Sequence, residues 1–159
     1  MKILLSILVL LVTTKECKST KEQALDDSNA KNTEMILQSD MKVVYEAQSR
    51  GGFEHISISK DVVLISSDRY LKEVATYKCD ENDWKAIYEL LESIDTNTLS
   101  SLKAPTDKRL FDGAPHATLK LSKGDDEIST PTFDHGHPPK EIEALVNKVL
   151  SIKESLSKN

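Results

Sequence analysis

Cysteine is nearly absent from this sequence, which contains only Cys17 and Cys79 among its 159 residues. A small fold stapled by several disulfides is therefore excluded. A bond between these two cysteines would tie a folded domain to a tail about sixty residues upstream, an unusual place for a disulfide. We predict that Cys79 is instead a buried or half-buried free thiol.

Signals of several common function classes are also missing. The chain has no dense cluster of Lys and Arg, and its formal net charge is −5, so nucleic acid is not expected as a partner. It contains no Gly-x-Ser-x-Gly turn, no HExxH pair and no phosphate-binding glycine loop. Catalysis therefore has little support, and we favour a protein that is not an enzyme.

The apolar run at the start of the chain is short. Residues 3–12 form a largely apolar segment of ten residues behind a basic start. This length is too short for a membrane-spanning helix but typical of a signal peptide, so residues 1–17 are predicted to direct export. Cys17 stands where a lipoprotein signal places its acylated cysteine, whereas Lys15 and Glu16 depart from the small neutral residues that such a site prefers.

Three outcomes for this segment stay open: acylation of Cys17, ordinary secretion, and an uncleaved anchor. In each of them the protein is exported, and we predict a periplasmic or outer-surface location. If Cys17 is acylated, the N-terminal lipid would attach the protein to a membrane.

Composition divides the rest of the chain into a spacer and one domain. Residues 18–40 are polar without a sustained apolar period, which is typical of a tether. Residues 41–159 contain alternating β-branched runs, a helical run, two more alternating runs and a second helical run. This order predicts a single α+β domain: an antiparallel sheet of about five to six strands with two amphipathic helices packed on one face.

Individual elements differ in how clearly the pattern predicts them. The first helix should begin at a cap provided by Asp80 or Asn82 and bury Trp84 as a core anchor. A fourth strand is predicted over residues 70–79, although Glu73 interrupts its apolar face. The last predicted strand contains Pro131, which restricts it to a sheet edge because proline has no N–H to donate.

The stretch FDHGHPP, residues 133–139, has two interpretations. In one, three histidines are zinc ligands with an open fourth position: His116, His135 and His137. A hairpin about Asp125 would support this by pairing residue 116 with residue 134. In the other, which we favour, the stretch is a strand-to-helix corner, with Gly136 at the turn and two prolines where the helix begins.

A second group of candidates surrounds the long connection that ends at residue 115. The candidate ligand- or partner-binding residues are Arg50, Arg109, Asp112 and Asp134. Arg109 is the best candidate for a specific contact, because its planar guanidinium can grip a carboxylate or phosphate. The alternative, which we favour, is that Arg109 pairs with Asp107, Asp112 or Asp134 and holds the long loop on the domain. Arg50, beside two glycines, could present a binding tip, but an arginine at a hairpin turn is most often a solvated charge, and we favour that interpretation.

Three stretches carry a resemblance to known proteins: SRGGFEHISI, LKAPTDKRLFDGAPHATLKL and FDHGHPPKEIEALVNKVLSI. In this order they resemble small exported proteins of the lipoprotein type from bacteria of the Bacteroidota kind, over about residues 43–152. The resemblance implies export and no activity that could be assigned to residues of this chain. The departure at Lys15 and Glu16 leaves the lipid anchor open.

Three functional hypotheses follow. In the leading one, the protein is a small exported domain, lipid-anchored if Cys17 is acylated, that binds or assembles with an unidentified envelope or extracellular protein. In the second, the three histidines form a zinc-binding, hydrolytic site. In the third, the protein inhibits a secreted or envelope enzyme by inserting the loop of residues 96–116.

Overall fold

The structure, a computed structural model, describes residues 40–158. The predicted signal segment 1–17 with Cys17, and residues 18–39 of the predicted spacer, lie outside the described residues. The described chain forms an antiparallel sheet of seven strands with two α-helices, which confirms the predicted α+β class. Within this part of the chain, no helix is long and apolar enough to cross a membrane.

The elements follow one another in the predicted order of strands, helix, strands and helix. The strands are β1 (Met41–Gln48), β2 (Phe53–Ser59), β3 (Val62–Ser66), β4 (Ala75–Lys78), β5 (His116–Lys123), β6 (Asp126–Ser129) and β7 (Phe133–Asp134). The α-helices are α1 (Glu81–Glu92) and α2 (Glu143–Ser157). Three short 3-10 helices cover Thr96–Ser101, Lys108–Phe111 and Lys140–Ile142.

The strand order is β4-β3-β2-β1-β5-β6, and β7 also pairs with β5. The last predicted strand divides into β6 and β7, which is why the sheet has one strand more than predicted. At the break, the hydroxyl of Thr130 accepts the amide N–H of Leu119 at 3.1 Å, and Pro131 follows without an N–H. The pairing register with β5 shifts by one residue across this bulge, at the sheet edge that Pro131 predicts.

The core lies between the helices and one face of the sheet. Alternate residues of the two central strands are buried: Val43, Tyr45, Ala47, Ala117, Leu119 and Leu121. Helix α1 begins at its predicted cap, Asp80, whose carboxylate accepts the amide N–H of Asn82 at 2.8 Å, and it buries Trp84. Helix α2 buries Leu145, Val146, Val149 and Ile152. Each large apolar side chain that is fully buried contributes about 1.5–3 kcal/mol by leaving water.

The predicted strand over residues 70–79 is wrong in its first half. Only Ala75–Lys78 is a strand, and residues 67–74 form a loop. The carboxylate of Asp68 accepts three amide N–H groups, those of Tyr70, Lys72 and Glu73, at 2.8 to 3.3 Å. These donors are therefore not available to a strand ladder, and Leu71, with a φ of 54°, is left-handed rather than extended.

The antiparallel pairing places the loops at two opposite ends of the sheet. At one end, Gln48 of β1 pairs with Phe53 of β2 and His116 of β5. We call this end, with its loops at residues 49–52, 67–74, 105–115 and 135–139, the loop end. At the other end, Met41 pairs with Lys123 beside the turn between β5 and β6. The chain therefore enters the domain about 25 Å from the loop end, since β1 has eight residues at about 3.3 Å each.

Candidate functional site

Asp134 organises the loop that precedes β5. Its side chain is fully buried. Oδ2 accepts two hydrogen bonds, one from the hydroxyl of Thr106 at 2.6 Å and one from the amide N–H of Lys108 at 2.8 Å. Oδ1 accepts two hydrogen bonds from Arg109, one from its amide N–H at 2.9 Å and one from Nη1 of its guanidinium group at 3.1 Å. One carboxylate thus joins β7 to a loop segment that lies 25 to 28 positions earlier in the chain.

These contacts decide the charge state of Asp134. Burial alone would raise the pKa of its carboxyl group, but the hydrogen bonds from Thr106, Arg109 and Lys108 outweigh burial and hold the pKa well below its usual range. The carboxylate is therefore ionised at neutral pH.

Arg109 is used inside the fold. Its side chain is only 10% exposed, and Nη1 donates to the carbonyl oxygen of Thr106 at 2.6 Å. The same nitrogen lies 3.1 Å from Oδ1 of Asp134 and 3.2 Å from Oδ1 of Asp107. These contacts support the interpretation in which Arg109 holds the long loop on the domain, because its fork has carboxylate partners within the chain.

The three histidines of the zinc hypothesis do not converge. His116 pairs with Asp134 across β5 and β7, as the hairpin about residue 125 predicts. Successive strand residues alternate between faces, so His135 lies on the other face, where its Nδ1 is 2.8 Å from the hydroxyl of Tyr45. His137 is exposed in the following turn. Among residues 40–158, no three His, Cys, Asp or Glu side chains are grouped so that they could hold a metal ion, and zinc binding stays a prediction.

The stretch from residue 133 to residue 139 has the form of the predicted corner. Gly136 has a φ of 78°, and the amide N–H of His137 donates to the carbonyl oxygen of Asp134 at 2.8 Å. Pro139 then precedes the 3-10 turn from which α2 continues. The glycine and the prolines therefore have a backbone role in changing the direction of the chain.

Asp68 organises loop 67–74 in a similar way. In addition to the three amides that its carboxylate accepts, the hydroxyl of Ser66 accepts the amide N–H of Asp68 at 3.0 Å and donates to the carbonyl oxygen of Glu73 at 2.6 Å. The amide N–H groups of Tyr70 and Lys72 hold the pKa of Asp68 below its usual range. Each of the two long loops at the loop end is thus fixed by one ionised aspartate.

An open cleft of about 1150 Å³ lies between these loops and the β1–β2 turn. Its charged lining consists of Arg50, Arg69, Asp112 and His116. Nη2 of Arg50 lies 3.3 Å from Oδ2 of Asp112, and both side chains are exposed. Nη2 of Arg69 donates to the carbonyl oxygen of Ser49 at 3.2 Å. Two of the four binding candidates from the sequence, Arg50 and Asp112, therefore meet at the cleft. The other two, Arg109 and Asp134, pair with each other where loop 105–115 meets β7.

Large apolar side chains are exposed at the loop end. Within the described part of the chain, the exposed ones are Tyr70, Leu71, Val74, Leu110 and Phe111, and all of them belong to loops 67–74 and 105–115. Phe111 is 84% exposed and Tyr70 is 78% exposed. The sequence reasoning missed Arg69, Tyr70 and Phe111, because an aromatic residue inside a polar stretch does not reveal its own exposure. The available signal is the position of the arginines, because all three in the chain, Arg50, Arg69 and Arg109, fall in loops of the loop end.

Other titratable groups have structural contacts away from this cleft. Nδ1 of His55 lies 3.0 Å from Glu46, and Nζ of Lys120 lies 3.2 Å from the same carboxylate. Burial would raise the pKa of Glu46, but the contacts with His55 and Lys120 outweigh it and lower the pKa. Cys79 is buried and free, as predicted, and burial raises the pKa of its thiol to about 11, which makes it a poor nucleophile at neutral pH.

The loop end thus combines two fixed loops, exposed aromatic side chains and two exposed arginines around one cleft. Such a surface suits binding of a macromolecule better than chemistry on a small molecule, because the cleft is open and larger than most small-molecule pockets. No family model matches the chain, and no curated protein matches it.

Proposed function

We propose that the protein is a small exported domain, anchored at the cell envelope through a lipid on Cys17, that binds another envelope or extracellular protein with its loop end. The role is binding or assembly, not catalysis. The observation that carries this proposal is the grouping of exposed large apolar side chains at one end of the domain.

The composition of this surface supports the proposal. Protein interfaces are enriched in aromatic residues and Arg relative to the rest of the surface, and Tyr and Arg are common among the residues that dominate binding energy. Here Tyr70 and Phe111 are exposed in the same set of loops as Arg50 and Arg69. Grouped apolar side chains on a surface commonly mark a site that a partner covers.

The fixed loops also support a binding role. Ordering a mobile loop on binding costs free energy, so a surface that is already held in place binds more tightly for the same contacts. The amides of Tyr70, Lys72 and Glu73 donate to Asp68, and those of Lys108 and Arg109 donate to Asp134. The exposed side chains are therefore presented on a backbone that a partner need not order.

The direction of the loop end fits an anchored protein. Met41, where the described strands begin, lies at the end of the sheet opposite the loop end. A lipid on Cys17 would therefore join the domain to the membrane through that opposite end. The loop end is the part of the domain farthest from this point of attachment, where a partner can reach it.

Photo-crosslinking in the native host tests the binding role. The crosslinking amino acid p-benzoylphenylalanine replaces Phe111 in one strain and Lys85, an exposed residue of α1, in a control strain. We expect a discrete crosslinked protein from position 111 and none from position 85. No crosslink from position 111, or the same products from both positions, would contradict binding at the loop end.

The anchor is checked in the same strains by mass spectrometry of the mature N-terminus. A lipid-modified Cys17 as the first residue is the expected result. Any other mature N-terminus would refute the lipid anchor, and recovery of the protein in the cytosol would refute export.

A further inference from the structure

We propose that the cleft between Arg50, Arg69 and His116 binds a carboxylate-rich segment of a partner polypeptide. This inference rests on the proposed function, because it names the chemistry of the partner that the loop end takes. The occupant that we propose is an acidic peptide that also carries apolar side chains, because it matches both the arginines of the cleft and the apolar side chains at its rim.

The cleft is basic although the chain as a whole is acidic. The chain has a net charge of −5, yet the cleft is lined by two arginines against one carboxylate, that of Asp112. Lysine is the common basic residue in this chain, but arginine occurs only in these loops. The guanidinium group can form two parallel hydrogen bonds with one carboxylate, which lysine cannot do.

These arginines are also available to a ligand. Arg50 is 90% exposed on its side chain, and its contact with Asp112 is an ion pair between exposed groups, which adds little to stability. The guanidinium of Arg69 has one contact to the carbonyl oxygen of Ser49, and a guanidinium has five N–H donors. Both arginines therefore retain donors for a ligand. The carboxylate of Asp112 already occupies the position beside Arg50 that an incoming carboxylate would share or take.

The walls of the cleft are fixed. Arg69 and Tyr70 lie within the turn that Asp68 closes, so that wall is held. On the opposite wall, Asp112 has a left-handed φ of 57°, and the amide N–H of Gly113 donates to the carbonyl oxygen of Lys108 at 2.8 Å. The turn that carries Arg50 is closed by the amide N–H of Ser49, which donates to the carbonyl oxygen of Gly52 at 2.8 Å. Both arginines are therefore attached to hydrogen-bonded backbone that does not need to be ordered when a ligand binds.

The rim favours a polypeptide over other anions. Tyr70 lines the cleft, and Leu110 and Phe111 directly precede its wall residue Asp112. A free phosphate ion would leave these apolar side chains uncovered, and an acidic polysaccharide has no apolar side chains to cover the aliphatic ones. A peptide with alternating acidic and apolar residues would contact both the arginines and the rim.

Fluorescence anisotropy tests the inference with a defined probe. The probe is a labelled peptide of glutamate and serine with leucine at every fourth position, and the comparison peptide has glutamine in place of glutamate. We expect the purified domain to bind the glutamate peptide, more weakly as salt rises from about 50 to about 200 mM, and to bind the glutamine peptide at least about tenfold more weakly.

Substitution of the two arginines locates the site. The double variant Arg50→Gln/Arg69→Gln should weaken binding of the glutamate peptide at least about tenfold. The control Lys85→Gln/Lys123→Gln removes the same charge elsewhere and should leave binding within about twofold. If both double variants lose peptide binding equally, the effect comes from net charge alone, and the assignment of the site to the cleft is overturned. Thermal unfolding of both variants checks that the fold is intact.

The outcomes separate this inference from the proposed function. If Phe111 crosslinks to a partner and the crosslink survives Arg50→Gln/Arg69→Gln, the loop end binds but the acidic-peptide inference is overturned. Loss of the crosslink in that variant, with retention in the lysine control, supports the inference. Tighter binding of polygalacturonate than of the glutamate peptide at the same arginines would overturn the choice of a polypeptide.

Discussion

Loops 67–74 and 105–115 are held by the same kind of contact, an aspartate carboxylate that accepts hydrogen bonds from backbone N–H groups, but the two aspartates differ in burial and in distance along the chain. In each, an aspartate carboxylate accepts backbone N–H groups and is kept ionised by them. Asp68 belongs to its own loop, is partly exposed, and lies two to five residues from its donors. Asp134 is fully buried and lies 25 to 28 residues from its donors. The carboxylate of Asp68 therefore shapes a local turn, whereas that of Asp134 joins distant parts of the fold.

Substitution of Asp134 should lower the free energy of unfolding much more than substitution of Asp68. Asp134→Asn keeps the shape of the side chain, but it removes the charge that balances Arg109 and leaves the two donors of one oxygen facing the carboxamide NH₂ group. We expect the free energy of unfolding to fall by about 2–4 kcal/mol, since a buried ionic partner is lost. At about 4 °C per kcal/mol for a domain of this size, the unfolding temperature should fall by on the order of 10 °C.

Asp112→Asn is the matched control for this substitution, because Asp112 is also paired with an arginine but both side chains are exposed. Its effect should stay within about 0.5 kcal/mol. Urea and thermal unfolding of both variants measure the difference. Equal stability of Asp134→Asn and the wild type would show that the buried carboxylate is not a structural link.

The pH dependence of stability should show the next largest effect. The folded pKa of Asp134 is lower than its unfolded value of about 3.9, so its contribution is complete above about pH 4 and is lost as the pH falls below that value. The wild type should therefore lose stability more steeply than Asp134→Asn between about pH 4 and pH 2. Urea unfolding at a series of pH values measures the two slopes, and identical slopes would contradict a depressed pKa at Asp134.

The comparison also shows what the sequence can predict and why. The order of strands and helices along the chain, a cap at one of Asp80 and Asn82, and the pairing of residue 116 with residue 134 follow from local periodicity and hairpin geometry, and the structure confirms them, with Asp80 as the cap. The zinc hypothesis requires His116 and His135 to lie together. The residue that pairs with His116 is Asp134, whereas His135 follows the end of β7 and contacts the hydroxyl of Tyr45, a core residue.

Other features depend on contacts that periodicity does not encode. The contact between Arg109 and Asp134 was one of three pairings left open, because nothing in a single sequence says which of several aspartates lies near an arginine after folding. The first half of the predicted strand over residues 70–79 is wrong because the side chain of Asp68 competes with the ladder for backbone N–H groups, an outcome that depends on one side-chain conformation. The exposure of Tyr70 and Phe111 follows from these two loop conformations.

The smallest effect on global stability is expected from Asp68→Ala. Its amide donors lie at the surface, so water can replace the carboxylate when the side chain is removed. The loss of stability should therefore be smaller than that of Asp134→Asn. The local effect should be clear: hydrogen exchange of the amides of Tyr70, Lys72 and Glu73 should accelerate, because their acceptor is gone.

The amides of Lys108 and Arg109 serve as the internal control for this exchange measurement, since they donate to Asp134 and should keep their protection in Asp68→Ala. The reverse pattern is expected in Asp134→Asn. If Tyr70, Lys72 and Glu73 already exchange as fast in the wild type, Asp68 does not hold its loop. The wall of the cleft that carries Arg69 would then have to be ordered by the partner, and the acidic peptide would bind more weakly than a fixed loop allows.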